Sequence, residues 1–192
     1  MEENLIDEKT DNELVQSSLK NQDDYVFIIK KYEKKLEKYI KRLGNLSNED
    51  IEDLLQDIFI KVYKNLNNFD DNLKFSSWIY RIAHNETINK FKKSKFISNN
   101  TDDLDLFIDK LLDCVDCEHN KIEDDFDKNI LKEKVEKIFN KMSFKYKEIL
   151  ILKFIEEKDY KEISDIIKKP MGTVGTLINR AKKQFKQIYE HK

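Results

Sequence analysis

The stretch Asp159–Tyr189, DYKEISDIIKKPMGTVGTLINRAKKQFKQIY, decides the fold. Asp159 stands three residues before Glu162, a spacing at which each side chain can accept from the other's backbone N–H and so start a helix. Ile163, Ile166 and Ile167 supply the inner side of that short helix. Lys168–Gly172, with Pro170 and Gly172, reads as a turn, after which Thr173 is expected to cap the final helix. In that helix Val174, Leu177, Ile178, Ala181, Phe185 and Ile188 recur at helical spacing on the inside, and Gly175, Thr176, Asn179, Arg180, Lys183 and Lys186 face outward. Two helices joined by a short turn, the second presenting small polar residues first and bases afterwards, match a helix-turn-helix. Its second helix suits a DNA major groove, with Thr176, Asn179 and Arg180 near bases or phosphates and Lys183 and Lys186 beside the backbone. Generic helical hairpins share this spacing, so the rest of the chain has to decide.

Upstream, Leu131, Val135, Ile138 and Phe139, then Tyr146, Ile149, Leu150, Leu152 and Phe154, describe two helices parted near Met142–Phe144. Before them the chain turns acidic: residues 101–127 hold 11 acids and 2 bases. This segment is rich in Asp and Asn and has no sustained apolar stripe, so it reads as a linker with one short amphipathic turn around Leu104–Leu112. The expected division is 1–95, 96–127 and 128–192.

The first block shows a helix over Tyr25–Leu43, stopping at Gly44, with Val26, Ile29, Tyr32, Leu36, Tyr39, Ile40 and Leu43 as its stripe. A second helix starts near Ser47–Asp50 and buries Ile51, Leu54, Leu55, Ile58, Val62 and Leu66. On its other side Asp53, Gln56, Asp57, Ile60 and Lys64 form an acidic face with one aliphatic residue, a docking surface for a basic protein partner. Asn67–Leu73 is a polar loop, and Phe75, Trp78, Ile79 and Ile82 anchor the next helix, with Trp78 in the core. Tyr80, Arg81 and His84 are expected to point the other way, followed by Asn85, Asn89, Lys90, Lys92 and Lys93; Ile88 and Phe91 lie off the stripe, so the packing must change or the helix must end. Aromatics, amides and positive charge together suit single-stranded DNA, where rings stack on unpaired bases and cations balance phosphates.

Composition bounds these readings. The chain has 192 residues, with 36 Lys+Arg against 38 Asp+Glu, enough for one compact domain or two small ones. The net charge of −2 hides two basic segments: residues 74–95 carry 6 bases and 1 acid, and residues 168–192 carry 7 bases and 1 acid. Binding of a polyanion responds to such patches and not to the sum. No run approaches the roughly 18 apolar residues of a membrane span, and the acidic start MEENLIDEKTDNE is unlike a signal peptide, so the cytoplasm is the expected location.

Taken in order, YEKKLEKYIKRLG, EDLLQDIFIKVYKNLNNFD, FSSWIYRIAHNETINKFK and LILKFIEEKDYKEISDIIKKPMGTVGTLINRAKKQF resemble the bacterial sigma-70-type RNA polymerase sigma factors, specifically the small extracytoplasmic-function (ECF) class. The resemblance implies an all-α fold of two small helical domains, a region 2 bundle and a region 4 helix-turn-helix, joined by the acidic linker. It implies no catalysis and no cofactor. The partners it implies are core RNA polymerase, through the clamp helices of the largest subunit and the flap of the second-largest, and promoter DNA as duplex and as single non-template strand. Anti-sigma inhibitors are common in the resembled family. By the same resemblance Asp53, Leu54, Gln56 and Asp57 dock on polymerase, and the helix pattern adds Ile60. The −10 element falls to Asn68, Lys74, Ser76, Tyr80, Arg81, His84, Asn85, Asn89, Lys92 and Lys93 within Asn67–Lys93. The −35 element falls to Thr173, Thr176, Asn179, Arg180, Lys183 and Lys186. Many members read GTVKSRL where this chain has Gly172–Ile178, GTVGTLI, so a Lys and an Arg are missing from the first turns of its recognition helix.

Competing chemistries find less support. Asp53 and Asp57 make an i,i+4 carboxylate pair, yet no His or third acid stands nearby to complete a metal site, and glycine-rich phosphate loops are missing from a chain with 3 Gly. Cys114, Cys117 and His119 give CVDCEH, a fragment of a zinc or redox motif with no second pair. A stand-alone helix-turn-helix regulator leaves the second basic segment and the acidic outer face unexplained. A DNA-independent adaptor remains the third reading, distinguished by absence of promoter-dependent binding.

Overall fold

The computed structural model describes residues 9–44, 46–93, 135 and 137–190. The expected acidic linker, its amphipathic turn and the Cys114, Cys117 and His119 cluster lie outside these residues. Among the described residues every regular element is helical. They form two compact units, one built chiefly from described residues 9–40 and 46–93 and the other chiefly from described residues 137–164 and 168–190.

In the first unit α1 spans Asp11–Lys20, an element that apolar periodicity did not reveal. Its signal is a capping box: Glu13 N–H donates to the Thr10 hydroxyl (3.3 Å) and Thr10 N–H to the Glu13 carboxylate (2.7 Å). Leu14, Val15 and Ser18 form its buried side. A 3-10 turn, Gln22–Asp24, leads into α2, Tyr25–Leu43. The Tyr32 hydroxyl donates to Asp11 (2.6 Å), Lys31 pairs with the same carboxylate (3.0 Å), and Ser17 donates to Asp24, so α1 is pinned along the start of α2.

α2 buries Tyr25, Ile28, Tyr32, Leu36, Tyr39, Ile40 and Leu43. The expected stripe is therefore right from Tyr32 onward and wrong at its start. Val26 is exposed and Ile29 half-buried, because Tyr25 turns inward and donates its hydroxyl to the Phe59 carbonyl at 2.7 Å.

Helix α3, Asn48–Asn65, is capped by Ser47, which accepts from Asp50 N–H (3.0 Å). All six residues expected on its inner side are buried, joined by Phe59. A 3-10 turn, Leu66–Asn68, and a loop lead to α4, Phe75–Lys93, which runs unbroken. Phe69, Phe75 and Trp78 pack ring to ring, with centroids 5.3–5.6 Å apart, and Trp78 is a core anchor. Farther along, α4 continues inward through Ile79, Ala83 and Thr87 at every fourth position, which is how one helix accommodates the shift in pattern. Asp50 with Lys90 (2.7 Å) and Lys61 with Glu86 (2.6 Å) tie α3 and α4 together, antiparallel.

The second unit starts with helical residues 137–141, then α5, Phe144–Leu150, which passes into a π-helical turn, Ile151–Ile155. α6 spans Tyr160–Ile167 and α7 Met171–Glu190. The expected capping box is present: Glu162 N–H reaches Asp159 at 2.7 Å and Asp159 N–H reaches Glu162 at 2.8 Å. Lys168 ends α6 in the left-handed region (φ 52), a place where glycine is the usual choice. Ser164 holds the turn, its hydroxyl donating to the Lys169 carbonyl at 2.6 Å. α7 begins earlier than expected: the Pro170 carbonyl accepts from Thr173 and Val174 N–H, so Thr173 sits inside the first turn and does not cap it. Val174, Leu177, Ile178, Ala181 and Phe185 are buried, and Phe185 meets Phe139 edge-on at 6.2 Å.

Candidate nucleic-acid and protein interfaces

The outer side of α3 is a continuous exposed face of Asp53, Gln56, Asp57 and Ile60, the last 43% exposed. Leu54 does not belong to it. It is 3% exposed and serves the core beneath the face. The face continues into a groove of about 550 Å3 shared by α2 and α3. Tyr25, Ile29, Leu55, Phe59, Ile60 and Tyr63 line it, with Glu33, Glu52 and Gln56 among its polar residues. Tyr63 is 40% exposed and packs edge-on against Tyr25 at 5.1 Å. An apolar trough with acidic residues beside it is complementary to a helix whose apolar stripe is flanked by bases. Sequence reasoning found Gln56 and Ile60 as docking residues and missed the rest of the groove. Tyr63 was within reach, three residues beyond Ile60 on the same helix side; Tyr25 and Ile29 come from another helix.

The loop before α4 is built on Asp70. Its carboxylate accepts from Asn72 N–H (3.0 Å) and from the Asn72 amide (2.8 Å), bonds that hold Asp70 below the usual carboxylate range. Asn68 and Lys74 are exposed on either side, and Ser76 is half-buried at the start of α4. Along α4, Asn85, Asn89 and Lys92 are exposed, while Arg81 and His84 are half-buried. Tyr80 is a correction: expected to face outward, it is 2% exposed and packs edge-on against Tyr39 at 5.2 Å. The side chain of Lys93 lies outside the described residues.

Two polar hollows flank this segment. One of about 300 Å3 is lined by Lys61, Asn65, Asn68, Trp78, Ile82, Asn85 and Glu86. The other, about 380 Å3, brings Thr10, Asp11 and Asn12 against residues 71–76. Both are wide enough for an unstacked base, and three asparagines line the first, Asn65 donating its amide to the Lys61 carbonyl at 2.8 Å. Asn65, Lys61 and Glu86 were not expected at such a site, because they converge only when α3 and α4 pair.

On α7 the outward residues Thr173, Thr176, Asn179, Arg180 and Lys183 are exposed and Lys186 is half-buried. Thr176 donates its hydroxyl to the Gly172 carbonyl at 2.9 Å, leaving its oxygen as an acceptor and its methyl for apolar contact. Gly175 is half-buried on one flank of this face. Among the described residues no cluster of three or more His, Cys, Asp or Glu could hold a metal ion, and no helix is long and apolar enough to cross a membrane.

Residues 28–97 match the family model for sigma-70 region 2 and residues 132–185 match that for sigma-70 region 4. The chain is 32% identical over 174 residues to the ECF RNA polymerase sigma factor SigW of Bacillus subtilis, covering 87% of this chain and 89% of the relative. It is 26% identical over 168 residues to the ECF RNA polymerase sigma-E factor of Haemophilus influenzae, covering 82% and 83%. Among solved structures, CnrH in complex with the cytosolic domain of CnrY shares the fold, with a TM-score of 0.65 and 17% identity over 94% of this chain and 97% of that one. The sigma factor RpoE of Bartonella quintana, in complex with the anti-sigma factor NepR, superposes with a TM-score of 0.61 and 17% identity over 88% and 98%.

Proposed function

The chain belongs to the ECF class of the sigma-70 family of RNA polymerase sigma factors, which direct polymerase to promoters, and we propose how its two units divide that work. Residues 1–95 act as region 2, residues 96–127 as a linker, and residues 128–192 as region 4. The exposed α3 face of Asp53, Gln56, Asp57 and Ile60 docks on the clamp helices of the largest polymerase subunit, with Leu54 supporting it from the core. The segment Asn67–Lys93 holds the opened −10 element as single-stranded non-template DNA. Unpairing a base costs a few kcal/mol, offset by stacking and by hydrogen bonds inside a pocket, and the polar side chains of the hollow beside Trp78 supply the hydrogen-bonding groups. α7 reads the −35 element as duplex through Thr176, Asn179 and Arg180, with Lys183 and Lys186 on phosphates and the unit seated near the flap of the second-largest subunit. The protein acts in the cytoplasm, where polymerase is found.

One observation carries this reading: an acidic, part-apolar face and two polar, basic faces sit on different helices of one chain, each solvated and each chemically matched to a different partner. Purified core polymerase, supplemented with the protein and given a genomic promoter library, tests it. Specific initiation that depends on the added protein is expected; no association with core would refute it. An inhibitory protein that covers the α3 face is a further partner of this reading. Its support is that both solved structures named above are complexes, one with the cytosolic domain of CnrY and one with NepR.

A further inference from the structure

One side of α2 is built of lysine. Residues 30–42 hold 7 bases and 2 acids. At 100° per residue Tyr25, Ile28, Tyr32, Leu36 and Tyr39 turn to the core and Ile29 and Glu33 to the groove, which leaves Lys30, Lys31, Lys34, Lys35 and Lys38 on the remaining side. Lys30, Lys34, Lys35 and Lys38 are exposed, and Lys31 is half-buried. Like charges four residues apart, Lys30 with Lys34, Lys34 with Lys38 and Lys31 with Lys35, repel one another, so an anion lying along the rows would stabilise the helix that carries them.

The chain enters the fold on this side. α1 runs antiparallel to α2, since Ser17 meets Asp24 near the start of α2 while Asp11 meets Tyr32 (2.6 Å) and Lys31 (3.0 Å) farther along. Lys9, before the capping box, keeps to the same line: its carbonyl accepts from the Lys31 ammonium at 2.9 Å, and its own ammonium stands 5.6 Å from the centre of the Phe27 ring. Followed backwards, the chain heads along the lysine rows toward the C-terminal end of α2. The residues that precede Lys9, MEENLIDE, carry 4 acids and no base; they lie outside the described residues. Eight residues reach at most about 29 Å, and Lys31 to Lys41 is about 15 Å along a helix, so length sets no limit. We propose that Glu2, Glu3, Asp7 and Glu8 form an acidic strap on the lysine face of α2, lying over Lys34, Lys35 and Lys38 and keeping that face from nucleic-acid phosphates. The segment 101–127 is richer in acids, but residues 1–8 are tethered at Lys9, already seated on this face, and a short tether gives the higher effective concentration.

Two measurements on the full chain test the strap. A water-soluble carbodiimide joins a carboxylate to a lysine amine only where the two touch. Peptide mapping at low salt is expected to find amides between Glu2, Glu3, Asp7 or Glu8 and Lys34, Lys35 or Lys38; amides from these lysines to residues 101–127 instead, or none from residues 1–8, would overturn the strap. The second measurement is binding of a labelled oligo(dT) strand over a salt series. Glu2→Gln, Glu3→Gln, Asp7→Asn and Glu8→Gln together are expected to tighten it about tenfold at low salt. Added to that variant, Lys34→Gln with Lys38→Gln is expected to lower the slope of log affinity against log salt by about 1.4, the share of two phosphates on a single strand. The same pair of lysine changes in the parent chain is expected to leave the slope unchanged, because the strap already covers both. An equal loss of slope in the two backgrounds would mean a DNA-binding face that no strap covers, and would overturn the proposal.

Discussion

Neighbouring residues on α3 do opposite work, and single substitutions separate them. Leu54 is in the core, so Leu54→Ala should cost about 2–5 kcal/mol in urea unfolding. Asp53 and Asp57 are exposed, and reversing both to Lys should change stability by no more than about 0.5 kcal/mol each while abolishing capture of the protein by core polymerase. A folded double variant with unchanged polymerase affinity would remove Asp53 and Asp57 from the docking face. Lys147 is a third informative residue. It is 3% exposed, and burial lowers its ammonium from 10.5 to about 8. Between those values the unfolded chain binds more protons than the folded one, so stability should rise with pH from about 8 to 10.5. Thermal melts of the parent across that window should show the rise, and Lys147→Met should flatten it.

At the level of elements, local chemistry was the legible part. The capping box at Asp159, the turn at Pro170 and the inner stripe of α7 follow from spacing, and the structure has them. Asp159→Ala should therefore cost about 1 kcal/mol, and Gly175→Ala, which meets only ordinary contact with Tyr160, should gain up to about 1 kcal/mol in the same assay. What spacing could not show is where one helix meets two neighbours. α4 places Trp78 among the Phe69 and Phe75 rings and Tyr80 against Tyr39, so assigning a single buried side sent Tyr80 outward. Helix α1 escaped notice because it is short and its buried side comprises only Leu14, Val15 and Ser18; the Thr10–Glu13 box was its one strong local mark. The helix after Pro170 starts two residues before Thr173 because the proline carbonyl, and no side chain, receives the first free N–H groups.

For the whole molecule, the functional surfaces were legible in kind and not in extent. The charge distribution announced two basic segments and the helical pattern an acidic face; Asp53, Gln56, Asp57, Lys74, Arg180 and Lys183 of these are exposed in the fold. The groove joining Tyr25 and Ile29 to Ile60 and Tyr63, and the hollow joining Asn65 to Asn85, arise only when separate helices pair. They predict that polymerase affinity is sensitive to α2 as well as α3. Ile29→Glu, at a half-buried position, should weaken core binding at least tenfold with the fold retained, as read by competition against the parent protein. The central claim is that one chain brings polymerase to a promoter and holds its opened strand. The most direct measurement is initiation by purified core polymerase on a promoter whose −10 region carries a fluorescent base reporting strand opening. Opening and specific transcripts should appear only with the protein present, and should vanish when Asp53 and Asp57 are reversed. Regulation of the same promoter through intact duplex, with no polymerase bound to the protein, would contradict the account.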